Sequence, residues 1–170
     1  MDIFTEQLVK RKMTGLDIIK LVACIIAALV ILPLMFMFAA TTWGTIFLLI
    51  GAGLLYFIWN FSQTVSLEYE YCFTNGALDV DKVIAARRRK PVISLNARDI
   101  EVMADVNDRA YRNYIQNENV KKIYACSSVK DEGVYFVVFE NNGDKKMLLF
   151  NPNDTIKDGF KRLNPQKVFL

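Results

Sequence analysis

The chain has 170 residues, 53% of them apolar and 23% charged, with a formal net charge of +3 and no histidine. A surplus of three positive charges is too small to point to nucleic acid, and the missing imidazole excludes Ser-His-Asp and Cys-His devices, His-ligated metal sites and histidine acid/base chemistry. One domain, or one domain with an appendage, is the expectation at this length.

The first twenty residues hold Lys10, Arg11, Lys12 and Lys20 against Asp2, Glu6 and Asp17. Ile3, Phe4 and Leu8 lie on one flank ahead of the basic run, so residues 1–17 read as a cytoplasmic tail or a short interfacial helix.

Residues 21–67 then carry no Asp, Glu, Lys or Arg at all. As one helix, such a run would be roughly 70 Å long, more than twice a hydrocarbon core of about 30 Å. The break falls at Thr41-Thr42-Trp43-Gly44, which divides the run into spans near 18–40 and 44–62, a hairpin over 18–62. Pro33 is expected to kink the first span. A cleaved signal peptide fits poorly, because the apolar core is too long and Met37 or Phe38 stands where a small residue is required. Basic residues precede the first span and the connecting loop is uncharged, so both termini are expected in the cytoplasm of a multi-pass cell-membrane protein. Trp43 would anchor the outer interface, and Tyr56, Trp59 and Phe61 the inner one. With no Asp, Glu, Lys or Arg between residues 21 and 67, an ion or proton path is not indicated. Cys24, Cys72 and Cys126 show no CxxC spacing, so neither zinc nor a disulfide framework is expected.

From Val65 the period changes to two. Leu67, Tyr69, Tyr71 and Phe73 alternate with Ser66, Glu68, Glu70 and Cys72 before Asn75-Gly76, which reads as a hairpin over residues 65–86. Further strands are predicted at 92–95, 100–104, 121–127, 134–140 and 145–150, the last two joined by Asn141-Asn142-Gly143-Asp144. The polar stretch 105–119 reads as a loop with at most one helical turn. Pro152-Asn153-Asp154-Thr155 opens an amphipathic helix with Ile156, Phe160 and Leu163 on one face, closed by Pro165.

Seven short strands followed by one helix is the element order of a pleckstrin-homology (PH) type barrel or sandwich. The predicted architecture is therefore a membrane α-helical hairpin plus a mainly β cytoplasmic domain over 63–170. The opening MDIFTEQLVKRK, the two spans, YEYCFTNGALDVDKVIAARRRK and a late LLFNP resemble a family of small two-span bacterial membrane proteins, and TNGALDV before a basic turn resembles the start of bacterial PH-like membrane domains. The resemblance implies fold and topology, and carries no functional residue across.

Arg87-Arg88-Arg89-Lys90 is the densest charge cluster. A strand leaving the bilayer at Val65 and reversing at Asn75-Gly76 would bring this basic turn back to the membrane surface. Together with Lys10, Arg11 and Lys12 it is the candidate surface for anionic lipid headgroups. The competing reading is a solvated turn that guards a sheet edge. Asp79 with Asp81 does not fill a calcium shell, the segment from Asp105 lacks the glycine and glutamate of a calcium loop, and Cys126-Ser127-Ser128 has no base. No cofactor, metal or catalytic group is expected. The leading expectation is a non-enzymatic binding or scaffolding module that presents its PH-like domain at the cytoplasmic leaflet to lipid or to a membrane protein partner. The alternatives are an accessory subunit of a membrane transport or secretion assembly, and a hydrolase or transferase gathering Asp79, Asp81, Asp99 or Glu101 in one concave site.

Overall fold

The computed structural model describes residues 3–170. Readings that rest on Met1 and Asp2 lie outside the described residues. The chain divides into a β unit, made of residues up to 12 together with 68–83 and 87–170, and a helical unit over 13–67 that also takes in 84–86.

The helical unit consists of α1 (Gly15–Ala39) and α2 (Gly44–Gln63), within a few residues of the predicted spans. Thr14 and Asp17 start α1: the Asp17 carboxylate accepts from the Thr14 N–H at 3.0 Å and from its hydroxyl at 2.7 Å, supplying negative charge to the first turn. The helix runs on through Pro33. Where the two helices meet, small residues set the approach. A Cβ on Gly44 would lie 2.1 Å from the Ala39 carbonyl oxygen, and one on Gly51 would lie 2.3 Å from the Met35 side chain. Phe38 stacks on Phe47 with ring centroids 4.9 Å apart.

The β unit holds two four-stranded sheets that do not close into a barrel. The first has the order β1-β2-β3-β4, from β1 (Phe4–Lys10), β2 (Leu67–Thr74), β3 (Ala77–Ile84) and β4 (Arg88–Asn96). The second has the order β5-β7-β8-β6, from β5 (Ile100–Asp105), β6 (Lys121–Tyr124), β7 (Tyr135–Asn141) and β8 (Asp144–Phe150). All seven predicted strands are present. The eighth, β1, corrects the reading of residues 1–17: the segment from Phe4 to Lys10 is neither a tail nor an interfacial helix but an antiparallel partner of β2, from Phe4 opposite Thr74 to Lys10 opposite Glu68. Its side chains reach further. The Gln7 amide donates to the Asn151 carbonyl at 2.9 Å, and its oxygen accepts from the Asn153 N–H at 2.8 Å.

Strand β2 buries Leu67, Tyr69, Tyr71 and Phe73 and turns Glu68, Glu70 and Cys72 outward, as its alternation requires. In β7 and β8, by contrast, Phe136 to Phe139 and Met147 to Phe150 are all buried, so the second sheet is covered on both faces. The cover on one face is α3 (Arg109–Gln116), where the sequence suggested a loop. Its Asp108 carboxylate caps the Ala110 N–H, and Tyr111, Tyr114 and Ile115 pack on a cluster containing Phe136, Val138 and Met147. At the open end between the sheets lies α4 (Asp154–Leu163). Its Phe160 reaches Phe73 on the first sheet and Phe150 on the second, with ring centroids 5.3 and 6.4 Å away. Gly159 admits the helix this closely, since a Cβ there would fall 2.4 Å from the Phe73 ring.

Candidate functional site

Strands β1 and β2 are antiparallel, and two- and three-residue connections lead from β2 to β3 and from β3 to β4. The C-terminal ends of β1 and β3 and the N-terminal ends of β2 and β4 therefore share one end of the first sheet. This is the end from which the chain departs for α1 and to which it returns from α2. Lys10, Arg11 and Lys12 are here, and so are Arg87, Arg88, Arg89 and Lys90. The sequence groups these seven residues by charge, and the strand order brings them to one end. One detail differs: only Arg87 lies in the turn, while Arg88 to Lys90 already form the start of β4.

The turn itself is strained. Ala85 and Ala86 both adopt left-handed φ values of 55° and 52°, the conformation that Asn75-Gly76 and Asn142-Gly143 supply in the neighbouring hairpins at less cost. The Ala85 N–H is held by the Ser66 carbonyl at 2.9 Å.

Several of the seven cations are already engaged within the protein. Arg89 makes a salt bridge to Glu70 with N–O contacts near 2.9 Å. Lys12 contacts Asp131 at 2.6 Å, and the Ser127 hydroxyl donates to the other oxygen of that carboxylate at 2.7 Å. The ammonium and the hydroxyl together hold the Asp131 carboxyl below the usual carboxylate range. The Lys12 N–H also donates to the Ser127 carbonyl at 2.9 Å, tying the exit of β1 to the segment between β6 and β7. Arg88, Lys90 and Lys10 are exposed. Beneath this end, the Tyr71 hydroxyl donates to the Ala125 carbonyl and accepts from the Asn151 N–H. Burial raises the pKa of Tyr71, and it likewise raises that of the Cys126 thiol, keeping the sulfur protonated and unreactive near neutrality.

The aromatic residues assigned to interfaces sit at opposite ends of α2. Trp43 precedes its first turn and is 66% exposed. Tyr56 and Trp59 lie on its last turns with ring centroids 6.1 Å apart.

The carboxylates required for hydrolysis do not gather. Asp79 and Asp81 belong to β3 of the first sheet and Glu101 to β5 of the second. Glu101 is engaged by Lys145 at 2.7 Å and by the Tyr114 hydroxyl at 2.8 Å, and the lysine contact lowers its pKa. Among the described residues, no three His, Cys, Asp or Glu side chains converge on a possible metal position.

No curated protein and no solved structure matches the chain. A family model described as bacterial PH-like domain does match, over residues 1–170. Its extent agrees with a β unit that begins at the N-terminal strand rather than after the helices. The chain belongs to the bacterial PH-like domain family DUF6106.

Proposed function

We propose that the protein is a membrane-anchored, non-enzymatic binding module whose helical hairpin crosses the lipid and whose basic sheet end rests on anionic headgroups of the cytoplasmic leaflet. The observation that carries this reading is the pairing of a helical hairpin, free of Asp, Glu, Lys and Arg from residue 21 to its end, with a β1–β2 ladder. Helices of 25 and 20 residues are long and apolar enough to cross a bilayer. Only four residues separate β1 from α1 and three separate α2 from β2, and Lys10 is opposite Glu68 in the ladder. The two outer helix ends thus emerge on one side. Basic residues concentrated there match the cytoplasmic side, and each exposed Lys or Arg near an anionic leaflet contributes about 1 kcal/mol. Arg88, Lys90 and Lys10 are the contacts to expect first, because Arg89 and Lys12 are drawn toward Glu70 and Asp131.

The test is hydrogen exchange on the full chain in nanodiscs of phosphatidylcholine alone or mixed with phosphatidylglycerol. Slower exchange over residues 85–92 in the anionic discs, lost in Arg88→Glu with Lys90→Glu, is the expected result. Equal exchange in both lipids defeats the headgroup assignment.

A further inference from the structure

The first strand of the β unit is made before the helices and its partner after them. The helical hairpin is, in effect, an insertion into the connection between β1 and β2, 56 residues long. Resting on the membrane-spanning reading above, we infer that the β1–β2 ladder is a topology lock: the β unit completes its first sheet only when both helices have crossed the bilayer and returned the chain to its starting side.

The contacts of β1 show why its absence matters. Seven register pairs join it to β2, and the Asn75 N–H donates to the Ile3 carbonyl at 2.9 Å beyond them. Gln7 bridges the Asn151 carbonyl and the Asn153 N–H, where α4 begins, and Lys12 fastens the segment before β7 through Ser127 and Asp131. A chain with one helix inserted would place β1 and β2 on opposite faces of the membrane. It would leave β2 as an open edge and remove the braces on both Asn153 and Asp131. No strand elsewhere in the sheet can substitute, since the other side of β2 is occupied by β3. Strand β1 thus makes correct insertion a condition of correct folding.

The register supplies a direct reporter. Glu6 is opposite the native Cys72, and directly opposed strand residues fall within disulfide range. In the full chain carrying Glu6→Cys, Cys24→Ser and Cys126→Ser, mild oxidation of native membranes is expected to join the thiol introduced on β1 to Cys72, read as a gel shift reversed by reductant. Adding one unrelated apolar span between Gln63 and Leu67 should abolish the bond, and adding two should restore it, because parity alone decides on which side β2 emerges. Failure to crosslink in the parent, loss in both extended chains, or retention with a single added span each overturns the lock. Carbonate extraction of the parent keeps the two claims apart. Release into the soluble fraction refutes the spanning reading itself, whereas retention with a parity-independent bond refutes only the lock.

Discussion

At residue scale, the turn after β3 is the place where the chain departs furthest from its cheapest conformation. Two consecutive alanines at positive φ cost about 1–2 kcal/mol each relative to residues suited to that region. The Asn-Gly pairs of the other two hairpins show the economical solution. Ala85→Asn with Ala86→Gly is therefore expected to stabilise the protein by up to about 2–4 kcal/mol, measured as a higher urea midpoint in detergent. A second residue-scale expectation concerns acid. Lys12 and Ser127 lower the folded pKa of Asp131, so the unfolded chain binds its proton first, near the ordinary value of about 3.9. The stabilisation is present above that pH and is lost as pH falls through the lower folded value. Asp131→Asn should flatten the dependence of the urea midpoint on pH below about 4, and leave its slope near neutrality unchanged.

At the scale of elements, α4 depends on a cap that is itself held by another element. The Asn153 side chain accepts from the Ile156 N–H at 2.9 Å, while its own N–H is held by Gln7 of β1. Asn153→Ala is expected to cost about 1 kcal/mol, measured by chemical denaturation. Gln7→Ala should weaken the same helix although 146 residues separate the pair. This coupling marks what the sequence did and did not disclose. The alternation of Leu67 to Phe73, the Asn-Gly turns and the cap at Asn153 are local signals, and they located seven strands and the closing helix. Strand β1 left no such trace. Its apolar Phe4 and Leu8 face solvent at 63% exposure, its inward positions are Thr5, Gln7 and Val9, and its partners on β2 are far away in the chain only because a hairpin intervenes. A half-buried edge strand needs little hydrophobicity, so periodicity has nothing to detect. Helix α3 was obscured differently: eight residues with two tyrosines and one isoleucine on the covered side read as a polar loop until the outer face of the second sheet is seen to need a lid. The basic cluster was legible as composition. Its placement at the same end of the sheet as Lys10 to Lys12, on the opposite edge, depended on the unseen strand.

At the scale of the whole molecule, a hairpin that spans lipid as proposed would store part of the ordering that the β unit requires. In a fully unfolded chain, bringing β1 to β2 closes a loop of 56 residues, at an entropic cost of up to roughly 3–4 kcal/mol. On the proposed spanning reading, α1 and α2 paired in lipid would already hold their outer ends as neighbours, and most of that cost would be absent. Urea acts on peptide and apolar surface in water, so it should unfold the β unit while the helices, whose backbone groups are satisfied internally, persist in the bilayer. Labelling of Cys126 reports the first event and circular dichroism at 222 nm the second. Any loosening of the hairpin should then return part of the closure cost to the β unit. Gly51→Leu offers such a lever, because even a Cβ there meets the Met35 side chain at 2.3 Å, and the substituted residue lies within α2 rather than in either sheet. The expected outcome is a lower urea midpoint for Cys126 labelling in vesicles, by an amount below the loop-closure bound, with the helical signal retained. An unchanged midpoint would show that the two units share a chain but no free energy.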